Sequence, residues 1–255
     1  MLTFSLQSGS NGNAIYVEAN GVKLLFDAGI SGAMAQRRMA VHGRDVREVD
    51  AVIISHEHRD HIGCAGIYQR KFGPALYLTR PTHKAASKWY DLGKLTDVRY
   101  FRSGQSLTFP GLTVHTIPTA HDAVDGVGFV VECDGKRLGI LTDLGHPFPG
   151  LQNVLESLDA VYLESNYDPA MLSSGPYPPY LKARITGRAG HLSNEDAAEL
   201  VRACGRRRPR WVAAAHLSEQ NNEPELALAA HRSAVGRDYP VHLASRYETS
   251  EVFEV

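Results

Sequence analysis

The stretch VIISHEHRDHIGC, residues 52–64, places His56, His58, Asp60 and His61 within six positions of one another, directly after an apolar run. Imidazole nitrogens and carboxylate oxygens are ligands for Zn, Mn or Fe. His56 and His58 are two apart, so an extended or turning backbone can bring both to one ion. Asp60 and His61 follow at once and can face a second ion across the same turn. A polar loop would account for the composition of this stretch but not for its order, H-x-H-x-D-H.

Such a cluster works only if other elements hold it. DAVIISH (50–56), LDAVYLES (158–165) and RWVAAAH (210–216) are short apolar runs with the marks of buried strands, and LTVHTIPTAH (112–121) alternates. Helices are predicted in SGAMAQRRMAVHG (31–43), PTHKAASKWYDLGK (81–94), SNEDAAELVRACG (193–205) and EPELALAAHRSAVG (223–236). Strands that alternate with helices point to layered α/β packing. Two segments look alike, IYVEANGVKLLFDAG (15–29) and FVVECDGKRLGILTDLG (129–145). Each has a β-rich run, then Asn20-Gly21 or Asp134-Gly135, then an apolar run ending in Asp. Asn-Gly and Asp-Gly favour type I′ hairpins, where both central residues need positive φ. The pair suggests an internal duplication. The strand-like runs end in groups able to bind metal: His56, His121, Asp143, Glu164 and His216. In α/β layouts, sites gather at the carboxyl ends of strands. Residues 168–190 are rich in Pro and Gly and read as a long surface loop. No segment reads as a linker, so one domain spanning residues 1–255 is expected.

Bulk properties exclude little. The net charge of −1 gives no global signal for nucleic acid or membrane. Cys64, Cys133 and Cys204 are scattered and odd in number, so no disulfide framework is implied. The N-terminal residues lack a signal-peptide pattern, and no apolar run reaches the roughly 18–20 residues of a membrane span. The resulting expectation is a cytoplasmic protein without membrane attachment.

H-x-H-x-D-H after an apolar strand resembles the metallo-β-lactamase fold superfamily. Asp27 in LLFDAG, His121 in PTAHD, Asp143 in ILTDLG and His216 in AAAHLS match its other motifs, so the resemblance runs from about residue 4 to about 220. It implies a four-layer αββα sandwich of two pseudo-repeats and a site for two divalent metal ions, Zn or Mn. One ion would take His56, His58 and His121, and the other Asp60, His61 and His216. Asp143 would bridge them. Asp27 would lie behind the ligands and steady the histidine loop. Glu57 and Arg59 stand at variable positions that point elsewhere in relatives. Two metals can activate a water as nucleophile.

The stretch AGHLSNEDAAELVRACGRRRPRWVAAAHLSEQNN (189–222) is similar to the ribonuclease Z branch and its DNA-cutting relatives. His191 there corresponds to a catalytic histidine that faces the scissile phosphate. Ser193 with Asp196 reads as an N-cap with a capping-box-like partner, which places His191 at a helix N-terminus that favours an anion. Within the branch, SGSNGNAIYVEANGVKLLFDAGISG, SHEHRDHIGC, YLESNYD and YPPYLKARITGRAGHLSN resemble the WalJ (YycJ) type, a 5′ exonuclease-like family acting on DNA. The implied function is a binuclear phosphodiesterase in which His191, Asp60 and Asp143 carry catalysis. From Lys182 to Arg210 there are eight Lys/Arg against three acids. Lys182 and Arg184, just before His191, are favoured as phosphate contacts over the RRRPR run at 206–210. Ser10 and Asn11 in SGSNGN, and Asn166 in ESNYD, are further candidates to touch substrate. The nucleic acid is DNA in preference to RNA, and a homo-oligomer is compatible with the sequence. Two alternatives stay open: a small-molecule (cyclic) phosphodiesterase or glyoxalase-type thioesterase, and a non-catalytic, metal-stabilised binding module. His42, His83, His115, His146, His231 and His242 fit no ligand position.

Overall fold

Two seven-stranded sheets stack face to face in a computed structural model that describes all 255 residues. In chain order, the first is built from β1 (Leu2–Gln7), β2 (Ala14–Ala19), β3 (Val22–Phe26), β4 (Ala51–Ile53), β5 (Ala75–Thr79) and β6 (Val98–Phe101). The second takes β7 (Ser106–Phe109), β8 (Leu112–Pro118), β9 (Val127–Cys133), β10 (Lys136–Leu141), β11 (Ala160–Glu164), β12 (Trp211–Ala215) and β13 (Val241–Leu243). β14 (Phe253–Glu254) returns to the first sheet and pairs with β1. The helices are α1 (Gly32–Val41), α2 (Arg59–Ile62), α3 (Ala65–Phe72), α4 (Arg80–Trp89), α5 (Leu151–Glu156), α6 (Pro169–Ser174), α7 (Pro179–Thr186), α8 (Asn194–Ala203) and α9 (Pro224–Val235).

The strand patterns make the layers. Along β2, Ile15, Val17 and Ala19 enter the core between the sheets, while Ala14 and Tyr16 enter the core beneath α1 and α3. This period of two is what a strand buried on both faces must show. Phe26 and Phe129 meet across the sheets with ring centroids 5.0 Å apart. A third cluster, with Leu151, Leu155, Ala197 and Val201, seals α5 and α8 against the second sheet. The result is the αββα sandwich the motifs imply.

The duplication is present in the topology. Stepping from β1 to β6, neighbours pair antiparallel twice and then parallel three times. Stepping from β8 to β13 repeats that order. The hairpin turns match too: Asn20 and Gly21 have φ of 49° and 79°, and Asp134 and Gly135 have 50° and 73°. So do the residues beyond each hairpin, since Asp27 has φ of 66° and Asp143 of 55°.

Residues 168–190 differ from the loop that was expected. They form α6 and α7, with Pro169 and Pro179 each opening a helix. Proline at the first helical position needs no backbone N–H and has its φ already set, so here it starts helices. Asp168 caps α6 by accepting from Met171 N at 2.8 Å.

Candidate metal centre

β4 delivers the H-x-H-x-D-H turn. The strand ends at Ile53, and α2 opens at Arg59 with His58 as its N-cap. The turn is locked from behind by Asp27, held at positive φ at the end of β3. Asp27 Oδ1 accepts from Ser55 N at 2.8 Å, and Oδ2 accepts from Ser55 Oγ at 3.0 Å and His61 Nδ1 at 2.7 Å. His56 Nδ1 lies 2.9 Å from the same Ser55 hydroxyl. With these Nδ1 atoms committed as donors, Nε2 is the nitrogen of His56 and of His61 left to face a metal ion. Gly29 closes the turn from the other side. A Cβ there would lie 1.7 Å from the Asp60 carbonyl oxygen, so only glycine lets the backbones approach this closely.

The remaining groups arrive from the second sheet. His121 follows β8 and anchors Nδ1 on Gly190 O at 2.8 Å. Asp143 follows β10. His216 follows β12 with φ of 55°, its backbone N–H donating to Ser8 Oγ at 2.8 Å. Three sets have ligand atoms mutually within 4.8 Å: His56, His58 and His121; Asp60, His61 and His216; and His56, His61 and Asp143. Asp143 stands between the first two, with Oδ2 3.2 Å from His61 Nε2 and Oδ1 3.6 Å from both His121 Nε2 and His216 Nε2.

Electrostatics shows why this centre calls for cations. Burial alone would raise the Asp143 pKa, but charge on His216 and His61 outweighs it and holds the carboxyl well below its usual range. Asp60 behaves alike through His61 and His216. Burial, reinforced by His61, drives His56 far below its ordinary value. His61 moves the other way: burial opposes its charge, and Asp143, Asp27 and Asp60 overcome that. Nε2 of His56 and Oδ2 of Asp143 are buried without any hydrogen-bond partner. Buried polar atoms without partners are costly, and both converge here, so the donor set fits divalent metal ions.

His191 lies beside this cluster. Its Nδ1 meets Glu164 Oε1 at 2.6 Å, and the other Glu164 oxygen accepts from Leu144 N at 2.9 Å. Both oxygens of this fully buried carboxylate are thus used by the protein. Asp143, Glu164, His191 and His216 also form a group close enough to hold an ion, but these bonds assign Glu164 and His191 to each other. Against burial, Glu164 raises the His191 pKa. The expected cap is present in part: Ser193 Oγ accepts from Asp196 N at 3.0 Å. The return bond differs, because the Asp196 carboxylate accepts from the Ser193 hydroxyl at 2.7 Å.

The substrate candidates separate. Ser10 and Arg184 line the cleft over the cluster, with Tyr90, Tyr177 and Leu181. Arg184 Nε donates to Asp122 Oδ2 at 2.6 Å, and Asp122 Oδ1 lies 3.2 Å from His121 Nε2. Lys182 does not face the cleft: it donates to Ser173 O at 2.6 Å. Asn11 donates to Arg246 O at 3.3 Å, away from the cluster. Asn166 lines the cleft, but its amide donates to His216 O at 2.8 Å and lies 3.1 Å from His216 Nδ1. Arg59 also differs from expectation. It is exposed and lines the cleft instead of pointing away. Glu57 turns inward, accepting from Val124 N at 2.8 Å. Sequence reasoning missed Asn13, whose amide lies 3.0 Å from His61 Nε2 and whose Oδ1 accepts from Gly9 N. Its signal was membership of the same Gly-rich stretch as Ser10. Two arginines of the RRRPR run are paired locally, Arg207 with Glu156 and Arg210 with Asp159.

Residues 23–213 match the family described as Beta-lactamase superfamily domain. The chain belongs to this family. Within it, the chain is 36% identical to Exodeoxyribonuclease WalJ of Streptococcus pneumoniae, over 98% of this chain and 96% of that protein. It is 33% identical to Exodeoxyribonuclease YycJ of Bacillus anthracis, over 93% and 92%. The zinc-bound PqqB of Methylobacterium extorquens has the same fold, with a TM-score of 0.74 at 17% identity over 98% of this chain and all of that one. At least one protein with this fold thus binds zinc. No helix is long and apolar enough to cross a membrane.

Proposed function

We propose that this chain is a two-metal phosphodiesterase that degrades DNA from its 5′ end. The pairing of His191 with buried Glu164 beside Asp143 carries this reading. With Nδ1 held by Glu164 at 2.6 Å, Nε2 of His191 is the nitrogen free for substrate. Near-full-length similarity to two exodeoxyribonucleases supports DNA as the substrate class.

His56, His58 and His121 would hold one ion and Asp60, His61 and His216 the other, with Asp143 common to both. When bound, such ions supply an activated water and neutralise the oxygens of the phosphate. The chain's own residues do the rest. Asp27 and Ser55 fix the ring orientations. Protonated His191 stabilises charge on the phosphoryl group or gives its proton to the departing oxygen. Arg59 supplies positive charge at the cleft, where phosphates flank the scissile bond, with Arg184 held on Asp122 beside it.

The test is hydrolysis of end-labelled DNA and RNA, a generic phosphodiester and a thioester with Mn²⁺ or Zn²⁺, with and without chelator. Chelator-sensitive shortening of DNA from the 5′ end is the expected result. Turnover of the small diester alone, or of the thioester alone, would overturn the reading.

A further inference from the structure

Arg80, Lys84 and Lys88 recur at every fourth residue of α4. They therefore share one face, spaced by about 6 Å along the helix axis. That is close to the repeat of phosphates along an extended nucleic acid strand. α4 contains no acidic residue. All three cations are exposed, and none is paired with a carboxylate, whereas surface arginines such as Arg47, Arg99 and Arg202 are. Arg80 sits over Tyr100, its guanidinium carbon 4.1 Å from the ring centroid.

A row of cations on a helix is usually a solvated face, and two observations set this one apart. First, the three side chains line one groove with Pro81, Ala85 and Val124. Second, the groove and the metal cleft share no lining residue but are lined by near neighbours along the chain. Val124 is three residues from His121, and its N–H is held by Glu57 of the metal motif. At the other end, Tyr90, the residue after α4, lines the cleft beside Arg59. The groove is thus formed by α4 and the loop at Val124, and the cleft by the residue that follows α4 and by His121 of the same loop. The protein has a net charge of −1, so three unpaired cations on one ten-residue helix are a local concentration that a polyanion can use.

We propose that this face of α4 is a docking track for the sugar–phosphate backbone of a nucleic acid strand whose end occupies the metal cleft. The proposal rests on the nuclease reading and deepens it: contacts on α4 hold the part of the strand remote from the scissile bond. Sequence-independent affinity of this kind is carried by phosphate contacts.

The experiment compares the metal-loaded wild-type protein with Arg80→Ala/Lys84→Ala/Lys88→Ala. Affinity for a phosphorothioate-linked single-stranded oligonucleotide is measured against salt, and turnover is measured on a long strand and on a small phosphodiester. Each single-strand phosphate contact contributes about 0.7 to the slope of log affinity against log salt, so the triple variant should be shallower by about 2. Its affinity and its kcat/KM on the long strand should fall at least about tenfold under those conditions. Turnover of the small diester should not change. Since Arg80 packs on Tyr100, Lys84→Ala/Lys88→Ala serves as a second variant, with a slope shallower by about 1.4. Trp89 is 57% exposed and Trp211 is 8% exposed, so quenching of Trp89 fluorescence by the oligonucleotide, lost in the variants, would report binding on this side. A wild type that shortens DNA while both variants keep its affinity and slope overturns the track alone. A wild type that turns over only the small diester and binds no oligonucleotide overturns both the track and the nuclease reading.

Discussion

Glu164 and His191 meet at 2.6 Å, 27 residues apart in sequence, one at the end of β11 and the other two residues before the N-cap of α8. The carboxylate is fully buried. It fixes which nitrogen of the imidazole faces the cleft and favours the protonated ring. This pair sets the most direct predictions.

Removing the imidazole should slow turnover without emptying the centre. His191→Ala is expected to lose about 10²–10⁴ in kcat, the usual size of an acid–base contribution, with metal content by elemental analysis unchanged. Glu164→Gln should act through His191. The His191 pKa lies above its ordinary value because of Glu164, and the proposed role requires the protonated ring. Activity therefore falls as pH rises through that pKa, and Glu164→Gln should move this alkaline limb to lower pH. An unmoved limb in a variant with reduced kcat would reject the pairing as the cause.

If two ions are held as proposed, the carboxylates Asp27 and Asp143 should differ in severity. Asp27→Ala leaves His61 Nδ1 and Ser55 without their acceptor, and metal affinity should fall about 10–100-fold. Asp143→Ala removes a group near His61, His121 and His216 and should cost more than that, read by metal content after dialysis. Full metal occupancy in Asp143→Ala would refute its bridging position.

Asn166 offers a choice between two roles. Its amide holds His216, so Asn166→Ala should weaken metal binding by about tenfold and leave the KM of the metal-saturated enzyme near the wild-type value. A raised KM with metal affinity intact would instead make it a substrate contact.

His231 predicts acid sensitivity. It is buried against Ser165 Oγ at 2.9 Å, its Nδ1 has no partner, and burial lowers its pKa to about 4. The folded value lies below the unfolded one of about 6.5. Its contribution is therefore complete above about pH 6.5 and is lost as pH falls through about 4. The loss is about 3 kcal/mol. Urea unfolding of wild type and His231→Leu across this range should show a shallower pH dependence in the variant. Equal dependence would assign the acid sensitivity to other groups.

Much of the centre was legible from local sequence because its determinants are local. Spacing within H-x-H-x-D-H, positive-φ pairs at Asn20-Gly21 and Asp134-Gly135, and alternation along β2 each depend on a few adjacent residues. The apolar runs that lead to His121, Asp143 and His216 place those groups at strand ends, so their type and position could be read before any fold was seen. The direction of a side chain within a loop or on a helix is another matter. Lys182 and Arg184 are two residues apart, yet one turns to Ser173 and the other to Asp122 beside the cleft, because α7 shows them different neighbours. Arg59 enters the cleft because α2 opens there. The pairing of Glu164 with His191, the hold of Asn166 on His216 and the groove between α4 and Val124 all join segments distant along the chain. The physical reason is that turn conformation and strand alternation follow from short-range sterics, whereas such contacts exist only after burial has packed two sheets and their helices together.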